Sequence, residues 1–286
     1  MSSAVRIAYG DFGRVALLDM DRFLVRHAHP HCHVLIKAEG ADTHFAVGDQ
    51  TVALTDTQAV LVNAWVPHAY VHDPQRPRTT ILALYIEPDW LSRFRSNWNS
   101  ATAPLLFERP VGELTREIRE LAMTLASAMV YEPAGAQTQE TLLARLMIAV
   151  MERFTPWRTV ESSLSAIAAE RGRMDWRVRR AIDFLRESPQ LPISLETVAK
   201  ESGLSRAHFY RLFQRSTNLT PNVFLNMLRM EIAVRSVVNS SDSLAKLSCG
   251  LGFSAPAHFT RFFKDHAGAA PSEFRNVARM GGSGTD

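Results

Sequence analysis

Cysteine is scarce in this sequence, which has only two in 286 residues, Cys32 and Cys249. Two cysteines so far apart exclude a dense disulfide framework and fit a reducing compartment. Long apolar runs are missing as well, since the sequence has no stretch of about 18 apolar residues, the minimum for a membrane-spanning helix. The opening MSSAVRIAYGDFG also lacks the apolar core of a signal peptide. We therefore expect a cytoplasmic protein without a membrane segment.

Proline and glycine, with 14 residues each, are not in excess, so we expect no large disordered segment. Hydrophobic residues make up 46% of the chain and charged residues 21%, proportions that are typical of a globular protein. The chain is long for one domain and ample for two. Composition therefore favours a globular protein with two domains.

A large net charge is missing too, because the total is only +3, but the charge is unevenly spread. Residues 174–280 hold 15 basic and 9 acidic side chains, whereas residues 1–173 hold 17 basic and 19 acidic ones. This contrast suggests that the C-terminal third contacts a polyanion, although a solvated basic face would give the same pattern.

Short apolar runs separated by turn residues dominate the first hundred residues and predict a small β-barrel or sandwich. From about Pro110, apolar residues three and four apart indicate two helices, over 111–130 and 138–154. After a polar stretch, the chain reads as helical again. We divide it into a β-domain (1–109), a helical segment (110–155), a linker (156–174) and a helical domain (175–280).

The first of the two helices after the β-domain carries an apolar stripe. Such a stripe can pack on the β-domain, or it can stay exposed and serve as a dimer face. We expect the segment 110–155 to form a homodimer. The stripe consists of Leu114, Ile118, Leu121, Leu125 and Met129.

An internal repeat occupies the last third of the chain. The motif AHFYRLF at 207–213 recurs as AHFTRFF at 257–263, and LTPNVF at 219–224 recurs as AAPSEF at 269–274. Both offsets are 50, whereas Gly203 and Gly252 are offset by 49. The difference of one residue falls in the turn between Ser205 or Ser254 and the AHF motif.

Each copy has the pattern of a helix-turn-helix. Gly203 and Gly252 fall where the chain must turn sharply, and we expect a positive φ at both. Ser205 and Ser254 are placed to cap the helix that follows. The core-facing residues of that helix are expected to be Phe209, Leu212 and Phe213 in the first copy, and Phe259, Phe262 and Phe263 in the second.

The repeat region resembles the AraC/XylS family of bacterial transcription regulators. The resemblance runs from MDWRVRRAIDFLRES to the closing GF…HF…FFK…PSEFR pattern, which is its most specific part. In this family two helix-turn-helix subdomains place their recognition helices in successive major grooves. The resemblance implies a sequence-specific transcription regulator, with double-stranded DNA as partner and RNA polymerase as a possible further partner. It does not distinguish activation from repression.

The family's DNA contacts can be carried over by position. Arg211 and Arg261 are the strongest candidates, because an arginine can contact a guanine edge with two hydrogen bonds, worth about 1–3 kcal/mol of discrimination. His208 and His258 precede core phenylalanines, so we expect partly buried packing residues there rather than DNA contacts. The base-reading candidates are Arg206, Ala207, Tyr210, Arg211, Pro256, Ala257, Thr260 and Arg261, and the phosphate candidates are Arg215, Thr220, Lys264 and Ser272.

The front of the chain resembles the cupin-like effector domain that family members of this length usually carry. HCHVLIKAEG is similar to the first cupin strand pair, and LVNAWVPHAY is similar to the later segment with proline and histidine. The resemblance implies a small-molecule effector, which the sequence does not identify. It also implies the fold class: α+β with two domains, an N-terminal cupin-like β-barrel with following helices and a C-terminal all-α tandem helix-turn-helix.

Four histidines in residues 27–34, HAHPHCHV, raise the alternative of a metal-dependent cupin enzyme. The metal-ligand pattern of metal-binding cupins is H-x-H followed four or five residues later by glutamate. If His31 and His33 are the pair, those later positions hold Lys37 and Ala38. A lysine there would set a positive charge beside the cation. We therefore expect no metal, no other cofactor and no catalysis, with a site of His31, His33 and His68 as the alternative.

The histidines have two further interpretations. They are either satisfied by backbone partners at the mouth of the barrel, or they line a pocket for a polar or anionic effector. Cys32 has the opposite strand parity and should point into the core. The effector-binding candidates are His31, His33, Lys37, Trp65, His68 and Tyr70.

Overall fold

The computed structural model describes residues 2–29, 31–87, 90, 106–131, 136–155, 175–187, 194–217 and 219–281. The predicted linker, 156–174, lies outside the described residues. The chain divides into two compact units. The first comprises the described residues of Met1–Arg26, Pro30–Trp157 and Lys264–Asp286, and the second comprises those of His27–His29 and Arg158–Phe263.

The first unit contains two antiparallel sheets, an open form of the expected cupin-like barrel. The larger sheet has the strand order β1-β2-β8-β3-β6-β9, and the smaller one has the order β5-β4-β7. The strands are β1 (Ser3–Gly10), β2 (Gly13–Met20), β3 (Cys32–Gly40), β4 (Thr43–Val47), β5 (Gln50–Leu54), β6 (Gln58–Val62), β7 (His68–Val71), β8 (Thr79–Ile86) and β9 (Val111–Glu113).

The two faces of the larger sheet differ in what covers them. Cys32, Val34 and Ile36 of β3 belong to a core cluster that also contains residues of the two helices after the sheet. Cys32 therefore points into the core, as its parity predicts, and burial raises the pKa of its thiol to about 12. The alternate residues of β3, His33 among them, point to the opposite face.

Helices α1 (Arg116–Tyr131) and α2 (Ala136–Phe154) lie where the apolar periodicity predicts them. Ile118, Leu121, Leu125 and Met129 of the α1 stripe are buried, in the same cluster as the sheet core. The stripe therefore packs within the chain, and a dimer would use other residues. β9, which precedes α1, is a short strand on β6 rather than helix.

Strands β1, β7 and β9 carry little of the alternating pattern that marks a strand in sequence. In β1 the pairing with β2 shifts register between Ala4 and Arg6. Such a bulge breaks the strict alternation that marks a strand in sequence. β7 and β9 are only four and three residues long, too short for a periodic signal.

The helices of the last third form two matching sets joined by a long helix. They are α3 (Trp176–Glu187), α4 (Leu195–Glu201), α5 (Arg206–Thr217), α6 (Pro221–Asn239), α7 (Leu244–Gly250), α8 (Pro256–Ala267) and α9 (Pro271–Gly281). The side chains of Ser194, Thr220 and Ser243 cap α4, α6 and α7 by accepting backbone N–H groups. Among the helices of the described segments, none is long and apolar enough to cross a membrane.

The turn glycines and the phenylalanine cores agree with the repeat analysis. Gly203 has φ 69° and Gly252 has φ 76°, in the left-handed region that glycine adopts most cheaply. Phe209, Phe213, Phe259 and Phe263 are fully buried, whereas Leu212 and Phe262 are half-buried.

The capping prediction is right for Ser205 and wrong for Ser254. The Ser205 hydroxyl accepts the backbone N–H of His208 at 3.4 Å. Helix α8 begins at Pro256, so Ala255 holds the capping position, and its carbonyl accepts the N–H groups of His258 and Phe259. The extra residue in the second turn moves Ser254 one place away from the helix.

Candidate functional site

A pair of buried histidines joins the two sheets of the first unit. His33 of β3 and His68 of β7 are 2% and 1% exposed, and the His33 Nδ1 lies 3.2 Å from the His68 Nε2. Two of the six effector candidates thus meet in the interior, although 35 residues separate them in sequence.

The partners of His68 set the direction of hydrogen bonding in this pair. Its Nδ1 lies 2.9 Å from the Val66 carbonyl oxygen, which can only accept, so Nδ1 carries the hydrogen. Burial lowers the pKa of His68 to about 4, and the ring is neutral near pH 7. The His68 Nε2 is therefore the acceptor, and the His33 Nδ1 donates to it.

A row of side chains across three strands continues from this pair. His33 is in register with Tyr85 of β8, which is in register with Arg14 of β2. The His33 ring stacks on Tyr85 with centroids 4.0 Å apart, and the Arg14 guanidinium lies 3.6 Å from the centroid of Tyr85. Sequence reasoning missed Arg14 and Tyr85, because only the pairing of β2, β8 and β3 brings them to His33.

His31 is placed apart from that pair. Its Nε2 lies 2.9 Å from the Glu87 Oε1 at the end of β8. Among the described residues, the ligand atoms of His31, His33 and His68 do not come together within the 4.8 Å expected of a common metal site. In this arrangement the three histidines suit hydrogen bonding better than joint coordination of one ion.

Lys37 is engaged by acidic groups rather than by the histidines. Its ammonium, 4% exposed, donates to the Gly40 carbonyl at 3.1 Å and to Asp42 at 2.7 Å, and it lies 2.9 Å from Asp56. Burial opposes the charged form, but the hydrogen bonds of Asp42 and Asp56 raise the pKa of Lys37 overall. Because an ammonium has three hydrogens, these partners occupy all of them.

Trp65 and Tyr70 flank His68 along the chain. Trp65 is half-buried and has φ 67°, the one positive φ of a residue other than glycine in the described segments. Tyr70 is 2% exposed and meets Phe45 edge-on, with centroids 5.4 Å apart. Tyr70 also lines a cavity of about 70 Å³, far below the roughly 300–1,000 Å³ of ordinary ligand pockets.

The proposed DNA-reading residues lie on α5 and α8. Arg211 and Arg261 are exposed at the same position of the two helices, two residues after the buried Phe209 and Phe259. Arg206, Ala207, Pro256 and Ala257 are exposed, and Tyr210 and Thr260 are half-buried. The base-reading candidates therefore lie on the faces opposite the phenylalanine cores.

The phosphate candidates have more varied surroundings. Arg215 and Ser272 are exposed and Lys264 is half-buried. The Thr220 hydroxyl oxygen accepts the Val223 N–H at 3.3 Å, so this side chain already caps α6. α9, which carries Ser272, packs along β1 of the first unit.

The prediction for the two histidines of these helices is wrong. His208 and His258 are both exposed, because the residue before a core phenylalanine lies about 100° around the helix from it. The repeat alignment itself contained this signal, since the histidines stand three residues before Arg211 and Arg261 and share their side of the helix.

Comparison with known proteins matches the front and the back of the chain to two different kinds of domain. Residues 13–149 match the AraC-like ligand binding domain, and residues 198–276 match a helix-turn-helix domain. The chain is 32% identical over 88 residues to the probable transcription factor PqrA of Proteus vulgaris, covering 31% of this chain and 72% of that protein. This chain belongs to the AraC family of transcription regulators.

Two further similarities concern one curated relative and one solved structure. The lactose operon transcription activator of Staphylococcus xylosus is 29% identical over 99 residues, which cover 35% of this chain and 36% of that protein. The crystal structure of ToxT from Vibrio cholerae O395 aligns with 97% of this chain and 97% of its own, at a TM-score of 0.52 and 8% identity. That likeness shows the two-domain fold alone.

The chain spans only 36 to 45% of the length of the first curated relatives that it matches. Those matches are shorter than the ligand-binding family match and concern about a third to a half of this chain.

Proposed function

We propose that this AraC-family protein is a transcription regulator that binds a specific double-stranded DNA sequence and responds to a small-molecule effector. The observation that carries the proposal is the matched pair of helix-turn-helix units, with exposed Arg211 and Arg261 at equivalent positions. Arg206, Ala207, Tyr210, Pro256, Ala257 and Thr260 complete the base-reading faces, and Arg215, Thr220, Lys264 and Ser272 contact phosphates.

The effector binds the interior of the sheet unit beside His33 and His68. In this proposal the His33 ring, stacked on Tyr85, faces the effector together with Tyr70 and Trp65. His68 orients His33, because Val66 and His33 already engage both of its ring nitrogens. His31 lies at the edge of this region, paired with Glu87. Lys37 acts in the ion-pair network, because Gly40, Asp42 and Asp56 already take its hydrogens.

The proposal extends to the location, the oligomeric state and the partners of the whole protein. The protein works in the cytoplasm as a homodimer formed through the outer faces of residues 110–155. The name of the Staphylococcus xylosus relative, a transcription activator, supports activation, with RNA polymerase as the further partner. Its parts are the sensor (1–109), this helical segment, the linker (156–174) and the DNA-binding domain (175–280). The named relatives are transcription regulators, and we propose no catalytic role.

A DNA selection followed by binding titrations tests the proposal. The purified full chain should select one sequence from random duplexes, and its affinity should fall steeply as salt rises, because bound phosphates release counterions. Arg211→Ala and Arg261→Ala should each cost about 1–3 kcal/mol on that sequence and relax preference at a different base pair.

Arg76→Ala is the matched control, because this exposed arginine lies between β7 and β8, outside both helix-turn-helix units and outside residues 110–155. It should leave both affinity and sequence preference unchanged. A double variant of Arg211 and Arg261 that still selects the same sequence with the same preference would overturn the assignment of the readers. Failure of the wild-type chain to select any sequence would overturn DNA recognition itself.

A further inference from the structure

The two repeats differ in how the serine before the recognition helix is used. Ser205 stands three residues before His208 and accepts its backbone N–H at 3.4 Å. Ser254 stands four residues before His258, and its Oγ lies 2.9 Å from the Nδ1 of the His258 ring. One added residue in the second turn therefore converts a backbone cap into a contact between two side chains.

The Ser254–His258 contact orients an exposed ring. The backbone N–H of His258 is already donated to the Ala255 carbonyl at 3.0 Å, so Ser254 is not needed to satisfy the start of α8. With Nδ1 held at the Ser254 hydroxyl, the Nε2 occupies the outer end of the ring. When Ser254 donates to Nδ1, the neutral ring carries its hydrogen on Nε2, which then becomes a donor.

His258 lies beside the base-reading face of α8 rather than in its middle. Ala257, Thr260 and Arg261 are spaced by three and four residues and define that face. His258 is about 100° from Ala257 around the helix axis and three residues before Arg261, which places it at the flank of that face. Phosphate oxygens line the rim of the major groove, next to the flanks of an inserted helix.

The other side chains in the first turn of α8 offer no hydrogen-bond donor to DNA, which leaves this role to His258. The first turn of α8 offers Pro256 and Ala257, which have no polar side-chain atoms, whereas the first turn of α5 offers Arg206. The Arg206 guanidinium lies 5.9 Å from the ring centroid of Tyr210, another base-reading candidate on α5. In α8, His258 is the polar side chain of the first turn.

We propose that His258, oriented by Ser254, donates from its Nε2 to a DNA backbone phosphate and so positions α8 in its groove. The proposal rests on the DNA recognition proposed above and adds a positioning residue to it. His208 has no equivalent role, because Ser205 caps the backbone and does not hold the ring.

Three variants measured on the selected DNA sequence test the proposal. His258→Ala should weaken binding about tenfold, the size expected for one hydrogen bond to a charged group. The loss should be the same for every base substitution in the site, since a phosphate carries no sequence information. His258→Gln, whose terminal amide reaches the position of Nε2, should retain most of the affinity, whereas His258→Asn should behave like the alanine variant.

Ser254→Ala supplies the test of orientation. It should weaken binding less than His258→Ala does, and it should add nothing in the His258→Ala background, because the two side chains act as one unit. Ser205→Ala and His208→Ala are the matched controls, and their effects on DNA affinity should not be coupled in this way. Thermal unfolding of each variant distinguishes lost contacts from lost folding.

The outcomes separate this inference from the proposed function. If His258→Ala binds DNA with wild-type affinity while Arg261→Ala still relaxes base preference, the role of His258 is overturned. The proposed DNA recognition is then unaffected. A change in preference at one base pair in His258→Ala also overturns it, because the contact would then be to a base. If no variant can be measured because wild type selects no DNA, the proposed function has failed first.

Discussion

His68 is surrounded so closely that its charge state depends on folding. It is 1% exposed, and its two ring nitrogens are used by Val66 and His33. Protonation of the Nε2 would remove the acceptor for the His33 N–H and place a charge in the interior. For these reasons the pair is expected to connect pH to the stability of the sheet unit.

The pH dependence of stability can be predicted from the lowered pKa of His68. Burial lowers it to about 4, against about 6.5 in an unfolded chain. Between pH 6.5 and 4 the unfolded chain binds more protons, so the free energy of unfolding should fall with falling pH, by about 3 kcal/mol in total. Denaturant unfolding at a series of pH values measures this slope.

The variant His68→Gln isolates the cause of that slope. Its stability at pH 7 is expected to be lower, but its pH dependence between 6.5 and 4 should be flatter than that of wild type. His44→Gln, which changes an exposed histidine of β4, should retain the wild-type slope. An unchanged slope in His68→Gln would show that other groups produce it.

At the scale of secondary structure elements, an ion-pair network connects β3, two turns of the sheet unit and helix α1. Lys37 of β3 contacts Asp42 and Asp56, and the Arg119 guanidinium of α1 donates to Asp56 at 2.8 Å and to the Lys37 carbonyl. The hydrogen bond of Lys37 lowers the pKa of Asp56, with Arg119 adding to the effect. Arg119 thus connects α1 to the sheet through hydrogen bonds and an ion pair, whereas the apolar stripe of α1 packs in the core.

We expect Lys37→Met to lower the free energy of unfolding by about 2 kcal/mol, since it removes hydrogen bonds to charged groups while keeping the buried chain length. Asp56→Asn should have a similar or smaller effect, because the amide oxygen still accepts one bond. The control is Arg116→Ala, which breaks an exposed pair with Glu120 on the same helix and should change stability by less than about 0.5 kcal/mol. Equal losses in Lys37→Met and Arg116→Ala would contradict the role of the network.

At the scale of the whole molecule, regulation requires that effector and DNA influence each other's affinity. An effector can shift the protein only through unequal affinity for its two states. By linkage, the factor by which it changes DNA affinity must equal the factor by which DNA changes effector affinity.

A thermal-shift screen of small polar and anionic metabolites on the full chain should find a compound that raises the Tm. That compound should change DNA affinity, and saturating DNA should change its own Kd by the same factor. His33→Ala should abolish both effects, whereas His72→Ala, outside the buried pair, should leave them intact. Binding of the compound with no change in DNA affinity would argue against effector control.

Much of the recognition surface could be predicted from sequence because its determinants are local. Helical periodicity and the repeat placed the phenylalanine cores, the turn glycines and the exposed Arg211 and Arg261. The capping rule failed at Ser254, since the capping position depends on where α8 begins. The prediction of buried histidines failed at His208 and His258, because a residue next to a core phenylalanine lies about 100° around the helix from it.

The sensor interior depended on contacts that sequence does not display. Strand parity correctly predicted that Cys32 points into the core and His33 to the other face. It did not predict that Lys37, on the same face as His33, would contact Asp42 and Asp56. The sequence by itself determined the family, the α+β class and the tandem readers, because these rest on spacing along the chain. Only the tertiary structure decided that His33 meets His68, Tyr85 and Arg14, because strand pairing joins residues that are far apart in sequence.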